Sequence, residues 1–349
     1  METRIAINGA SGRIGRAVTY ELISTGGDWA RVALLNDPVG IDKIRTSLAD
    51  VDPVHGRFPW TVEKADENHL SINGQLIPVF AQKDLVKIPF ADLGVAYVEE
   101  CSGFYDADKN DKTRKPAQAF LDQGVRRVFQ SYPATADIAI VMGANHDLYD
   151  PTKHRLISNA SCTTKAVVAP LRPLLDEGIG IESVLLDTVH ATTNSQSPLS
   201  VLNQISTHKT GAVRAVGEIL TGLAGKLDGM SFRVPTLDGS FASIYMVVTH
   251  DGDLSAADVN AILRTAVDDP RYAGRLGVLT GKEANSMQDV VGRTENGLVV
   301  LSKTRVHALP YRSADGKRVS HLQIVSGYDN ERGPPKDQTL LTAYVAQRD

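Results

Sequence analysis

Apolar residues recur along the chain with two rhythms. Up to about residue 160, short runs of consecutive apolar residues alternate with stretches of helical spacing; beyond it, longer strand-like runs are interrupted by a few helices. The first run, Arg4-Ile-Ala-Ile-Asn8, reads as a buried strand. Gly9 to Gly15 reads as a glycine turn, and 16–24 as a helix through Val18, Leu22 and Ile23. Residues 32–36 form a second buried strand ending at Asp37, so the chain opens with two parallel strands joined by a crossover helix. Further strands are expected at 95–99, 127–130, 138–142 and 156–158, with a helix over 115–123. This alternation predicts an α/β, doubly wound sheet. After Cys162 the strands expected are 183–190, 231–235, 243–249, 298–302 and 320–325. Ser255 and Asp258 form a capping box that opens a helix over 255–267. The second region therefore predicts an α+β domain with a mostly antiparallel sheet. Residues 338–347 read as a terminal helix that packs back on either domain. The chain carries no internal repeat and no low-complexity segment.

At 349 residues the chain is too long for one ordinary core and suits two domains. A content of 42% hydrophobic and 22% charged residues is that of an ordinary soluble globular protein. The formal net charge of −4 predicts no general affinity for nucleic acid or an anionic membrane surface, and leaves room for a local basic pocket. No apolar run approaches the roughly 18 residues of a membrane span. The N-terminus has neither the charged nor the apolar part of a signal peptide, so a cytoplasmic protein is expected. The two cysteines, Cys101 and Cys162, suggest no disulfide framework and, without a CxxC, no zinc site; no metal is expected.

Two segments carry chemistry. Gly9-x-x-Gly12-x-x-Gly15 follows a strand and opens a helix. Gly9, Gly12 and Gly15 let the backbone approach a pyrophosphate, and the helix start, with Arg13 and Ile14, offers N–H groups and positive dipole. Asp37 lies 22 residues beyond Gly15, at the spacing where a carboxylate accepts from an adenosine ribose and repels a 2′-phosphate. The expected cofactor is NAD. Asn159-Ala-Ser-Cys-Thr-Thr164 sits where a strand gives way to a helix, which places Cys162 in the first turn, where free N–H groups favour its thiolate. Pro170 and Pro173 are expected to shorten or kink that helix. A nucleophilic cysteine needs a base, and His190, at the end of the strand 183–190, is the best placed of the nine histidines.

These residues and others resemble those of phosphorylating glyceraldehyde-3-phosphate dehydrogenases over nearly the whole chain. The matches are Gly-Arg-Ile-Gly-Arg (12–16), Asn36-Asp37, Glu100-Cys-Ser-Gly103, Ser158-Asn-Ala-Ser-Cys-Thr-Thr164, Thr188-Val-His190, Thr210-Gly-Ala, Phe232-Arg-Val-Pro-Thr236 and Gly327-Tyr-Asp-Asn-Glu331. The resemblance implies a Rossmann cofactor domain of 1–161, completed by a C-terminal helix within 328–349, and a catalytic domain of 162–327. It implies that Cys162 attacks a phosphorylated aldehyde, that His190 acts as its base, and that hydride passes to NAD to leave a thioester. Asn330 is implied to hold the nicotinamide carboxamide, and Gly103 and Ser131 to line the cofactor cleft. Thr193, Ser195 and Arg233 match the site for the substrate's phosphate. Ser161, Thr163, Thr210 and Gly211 match the site for attacking inorganic phosphate. The family is a glycolytic homotetramer, so a homo-oligomer is expected, either a tetramer or a dimer.

The chain departs from that family in four places. The glycine turn carries one extra residue (Ala10-Ser11), Lys165-Ala166 replaces Asn-Cys, and Arg332-Gly-Pro334 replaces Trp-Gly-Tyr. The segment 196–210 is much shorter than its counterpart and contains no Arg, where the family's loop is arginine-rich. Besides glyceraldehyde 3-phosphate, these departures leave open a related aldehyde such as erythrose 4-phosphate with release by water, or a nucleotide-binding regulatory paralogue. A semialdehyde dehydrogenase shares the glycine turn and a cysteine nucleophile, but Asp37 and the Asn330 motif count against it.

Overall fold

A strand covered on both faces needs consecutive rather than alternate apolar residues. β1 (Thr3–Asn8) has them, with Ile5 to Asn8 all buried in the computed structural model, which describes residues 2–105, 115–192, 202–281 and 286–349. The chain divides into two units, one of residues 1–140, 147–160 and 334–349, the other of 141–146 and 161–333.

In the first unit β1 leads through α1 (Arg13–Thr25) to β2 (Ala30–Asn36), α2 (Ile41–Ala49), β3 (Val62–Lys64), β4 (His69–Ile72) and β5 (Gln75–Phe80). Then follow β6 (Tyr97–Glu100), α3 (Gln118–Leu121), β7 (Arg127–Gln130), β8 (Ile138–Ala139) and β9 (Leu156–Ser158). They form one nine-stranded sheet in the order β3-β4-β5-β2-β1-β6-β7-β9-β8. All pairings are parallel except β3–β4 and β4–β5. The expected strand 138–142 ends at Ala139, because the Val141 N–H goes to the Asn145 side chain and Gly143 turns the chain at φ +86. The meander β3–β5 was not expected, although Asn73 (φ 49) and Gly74 (φ 80) are the residues a two-residue hairpin turn requires.

The centre of this sheet buries two adjacent carboxylates on β6. Glu99 accepts from Thr342 Oγ1 and Gln338 Nε2, both on the last helix, α7 (Gly333–Ala346). Glu100 accepts from Asn8 and from the backbone and hydroxyl of Ser102. Burial without a cation pushes both up to about 7, against the hydrogen bonds that favour the charged form. A carboxyl raised in the folded state contributes stability that is complete below its unfolded value near 4.5 and is lost as pH rises through about 7. Glu99→Gln, which keeps one acceptor for Gln338 and offers a donor to Thr342, is therefore expected to match the wild type at pH 4 and to exceed it by about 2–3 kcal/mol at pH 8. Denaturant unfolding at the two pH values checks this; a difference that does not change with pH contradicts it.

The second unit starts with α4 (Cys162–Asp176) and β10 (Gly180–His190), followed by β11 (Ser206–Lys209), α5 (Ala212–Ile219), β12 (Leu227–Arg233) and β13 (Ser240–His250). It ends with α6 (Ala256–Asp268), β14 (Leu276–Leu279), β15 (Gly297–Val300), β16 (Arg305–Arg312) and β17 (Arg318–Tyr328). The sheet order is β11-β12-β10-β13-β17-β15-β14, with β16 on β17. Only β10–β12 and β14–β15 are parallel, so this sheet is mostly antiparallel. The capping box of Ser255 and Asp258 forms and opens α6. Pro170 and Pro173 lie inside α4 without shortening it, and the helix runs fifteen residues. Its buried face lies on β13, β15 and β17, and that packing outweighs the backbone bonds the prolines remove. Gly297 approaches one freed carbonyl closely: a Cβ there would stand 3.0 Å from Ala166 O, which Pro170 cannot reach with an N–H.

Candidate active site

In the second unit Ser161 is the N-cap of α4, its hydroxyl accepting from Thr164 N at 3.1 Å, and Cys162 is the first helical residue. The preceding Ala160 holds φ +55, a conformation that L side chains seldom adopt, so the chain turns sharply just before Cys162. On β10 the burial pattern alternates, and this sends the strand's last side chain, His190, to the covered face with Leu186 and Thr188. Its Nε2 stands 3.6 Å from Cys162 Sγ. Its Nδ1 faces Ala191 O, an acceptor, at 2.7 Å and also Arg233 Nη1, a donor, while its Nε2 is the ring nitrogen that faces the thiol.

Asn330, just past β17, completes the cluster. Its Nδ2 lies 3.5 Å from Cys162 Sγ and 3.2 Å from His190 Nε2. Ser240 Oγ donates to Asn330 Oδ1 at 2.9 Å and so orients the side-chain amide, while Asp238 Oδ1 accepts from the Asn330 backbone N–H at 3.0 Å. Beneath the thiol, Tyr328 OH bonds Thr163 Oγ1 and Thr188 Oγ1, each at 2.8 Å; burial pushes its phenol up, so it stays neutral. For Cys162 burial alone raises the pKa. The contact and charge of His190, then the Asn330 bond and the Lys165 charge, outweigh it and bring the thiol to about 7.

Arg233 ends β12 beside His190 in the parallel register. Its Nη1 donates to Ala191 O at 3.1 Å and touches His190 Nδ1. Burial lowers its pKa, and among the described residues no carboxylate pairs with it, which leaves its charge available to an anion.

The remaining residues expected at the site lie as follows. Thr210 Oγ1 accepts from Ala212 N at 3.3 Å and Gly211 is the N-cap of α5; among the described residues neither is hydrogen-bonded to Cys162, His190 or Arg233. Thr193 and Ser195 fall outside the described residues. Gly103, at φ +69, and Ser131, whose N–H reaches Glu100 O at 3.0 Å, belong to the first unit. Reading the sequence missed Ser240, Asp238 and Tyr328. Tyr328 lies within a matching motif, but nothing local marks the other two.

The glycine turn of the first unit has the shape that a dinucleotide needs. A Cβ on Gly15 would stand 2.0 Å from Gly9 O, and one on Gly9 (φ +83) 2.6 Å from Ser102 N, so the tight turn admits glycine alone at both positions. Gly12 caps α1 with no side chain bonded to its N–H groups, and no acidic residue stands in its first turn. Arg13, Ile14 and Gly15 therefore start a helix whose donors suit a pyrophosphate. Asp37 is buried at the end of β2. The donor set fits NAD.

Two family models match the chain: the NAD binding domain of glyceraldehyde 3-phosphate dehydrogenase over residues 3–108, and the C-terminal domain of the same enzyme over 161–330. The glyceraldehyde-3-phosphate dehydrogenase of Geobacillus stearothermophilus is 35% identical over 360 residues, covering 100% of this chain and 99% of that protein. That of Omphalotus olearius is 33% identical over 364 residues, with 100% and 99% covered. A chloroplastic form from Arabidopsis thaliana is 33% identical over 347 residues, covering 95% of this chain and 76% of its own.

Proposed function

The chain belongs to the glyceraldehyde-3-phosphate dehydrogenase family of NAD-dependent dehydrogenases, and from that premise we propose that it oxidises glyceraldehyde 3-phosphate to an acyl phosphate, with Cys162 as nucleophile and His190 as base. The observation that carries this reading is the Cys162–His190 pair, 3.6 Å apart at a helix N-terminus with the thiol at about 7.

Cys162 Sγ, as thiolate, forms a bond to the aldehyde carbon while the carbonyl π pair moves to oxygen. His190, holding the thiol proton on Nε2, donates it to that oxygen and yields a thiohemiacetal. NAD, when bound, supplies the two-electron hydride acceptor for its oxidation. His190 Nε2 then takes back the hydroxyl proton, and a thioester remains on Cys162. Asn330 Nδ2 holds the sulfur toward His190 throughout. Arg233, with Thr193 and Ser195, binds the substrate's phosphate; Ser161, Thr163, Thr210 and Gly211 are the residues proposed for the attacking phosphate. An oxygen of inorganic phosphate attacks the thioester carbon, the C–S bond breaks, and the thiolate is regenerated. In the cofactor domain Gly9, Gly12, Arg13, Ile14 and Gly15 receive the pyrophosphate, Asp37 the ribose, and Gly103 and Ser131 line the cleft.

One observation favours a second reading, release by water from a related aldehyde such as erythrose 4-phosphate. The segment 196–210 contains no Arg, and Arg214 on α5 is turned to Glu218 at 3.4 Å. Turnover measured with and without inorganic phosphate separates the two. Phosphate release predicts a single burst of NADH followed by a near halt when phosphate is omitted; an unchanged steady rate assigns the enzyme to hydrolysis.

The reading also makes the protein a glycolytic, cytoplasmic homo-oligomer, a tetramer or a dimer. Leu185 and Tyr245 are cross-strand partners on the open face of the second sheet and are 61% and 45% exposed, with Val189 and Met230 near them. Such a face supports association of copies, which light scattering measures. Among the described residues no helix is long and apolar enough to cross a membrane.

A further inference from the structure

The extra residue in the glycine turn makes contacts of its own. Ser11 donates twice to one oxygen of Asp37: its N–H reaches Oδ2 at 3.1 Å and its hydroxyl reaches the same atom at 2.6 Å. Oδ1 accepts from Val39 N at 3.3 Å. The turn is itself anchored from α2, where Ser47 Oγ donates to Ser11 O at 2.6 Å. A carboxylate offers about four lone-pair positions. Three are taken here, and Asp37 is only 8% exposed, so a single position on Oδ1 is left for a ligand. An adenosine ribose brings two neighbouring hydroxyls, each a donor.

We propose that Ser11 is an affinity-determining residue for the cofactor: its hydroxyl occupies a ribose-binding position of Asp37, so that NAD is held through one ribose hydroxyl instead of two and dissociates more readily. This rests on the reading that Asp37 receives the ribose. The added hydroxyl therefore trades ground-state affinity for release of the dinucleotide without altering the charge that turns away a 2′-phosphate.

Calorimetric titration of the full chain with NAD tests this on the wild type, Ser11→Ala, Asp37→Ala and the double variant. Ser11→Ala is expected to bind NAD about 3- to 10-fold more tightly, the value of one added hydrogen bond. Asp37→Ala should bind about 10-fold or more weakly, and the double variant should match Asp37→Ala. NAD lacking one adenosine hydroxyl should gain less from Ser11→Ala than NAD does. Ser11→Cys, similar in size with a weaker donor, should lie between wild type and Ser11→Ala, and it serves should the alanine variant fold poorly. If Asp37→Ala weakens binding while Ser11→Ala leaves it unchanged or weakens it, the inference about Ser11 is overturned and the ribose reading stands. If Asp37→Ala leaves binding unchanged, the ribose reading itself fails.

Discussion

Replacing Cys162 by alanine is expected to abolish NADH formation from the phosphorylated aldehyde, with kcat falling by roughly 10⁴ or more, because no other group can form the thioester. Rapid-mixing absorbance should show no NADH burst, and mass spectrometry no acylated chain. NAD should still bind, since the glycine turn and Asp37 belong to the first unit and Cys162 to the second. The second thiol gives an internal comparison. Burial, then the charges of Glu99 and Glu100, push Cys101 well above the ordinary range, whereas Cys162 lies at about 7. Iodoacetamide at pH 7 should therefore alkylate Cys162 and leave Cys101 intact. A burst that survives in Cys162→Ala, or alkylation of Cys101 first, would remove Cys162 from the reaction.

His190→Asn is the second large effect. Loss of a positioned base lowers kcat by about 10²–10⁴. A more specific consequence concerns the thiol. Burial raises the Cys162 pKa, and contact with His190 is the largest of the influences opposing it. Without His190 the inflection in alkylation rate against pH should move from about 7 toward or above the ordinary thiol value of 9. The sign follows from charge: His190 favours the thiolate, so its loss favours the thiol. At pH 6.5 the variant should react slowly, and the deficit should narrow as pH rises. An inflection that stays near 7 would transfer the activation to the helix N-terminus, Asn330 and Lys165, and leave His190 only its part in proton transfer.

Local chemistry explains which features were legible without coordinates. The glycine turn, Asp37 and the Cys162 helix start depend on neighbours within a few residues or at a fixed spacing along one βαβ unit, so their order along the chain nearly specifies their geometry. The alternating or continuous apolar runs placed β1, β2, β7 and β9 within a residue or two. Where the pattern is weak the reading failed. β16 is exposed on most of its positions and has no apolar alternation to betray it. The β3–β5 strands are short, and only the Asn73-Gly74 turn announces them. Helix α4 keeps its length despite two prolines because a buried face packs on the strands of its sheet, which no propensity scale includes.

The sequence by itself marked out Cys162, His190 and the glycine turn and determined the two kinds of sheet, because each is written in residues close together or in one periodic run. Tertiary structure alone decided how the nucleophile is held. Asn330 reaches Cys162 from 168 positions away, and Ser240 orients Asn330 from 90 positions away. Those contacts depend on strand register, since a shift of one residue in β10, β13 or β17 would turn His190, Ser240 or Tyr328 to the opposite face. Ser11 on Asp37 is the same kind of fact: the extra residue is visible in the sequence, but only the folded turn brings its hydroxyl onto the carboxylate.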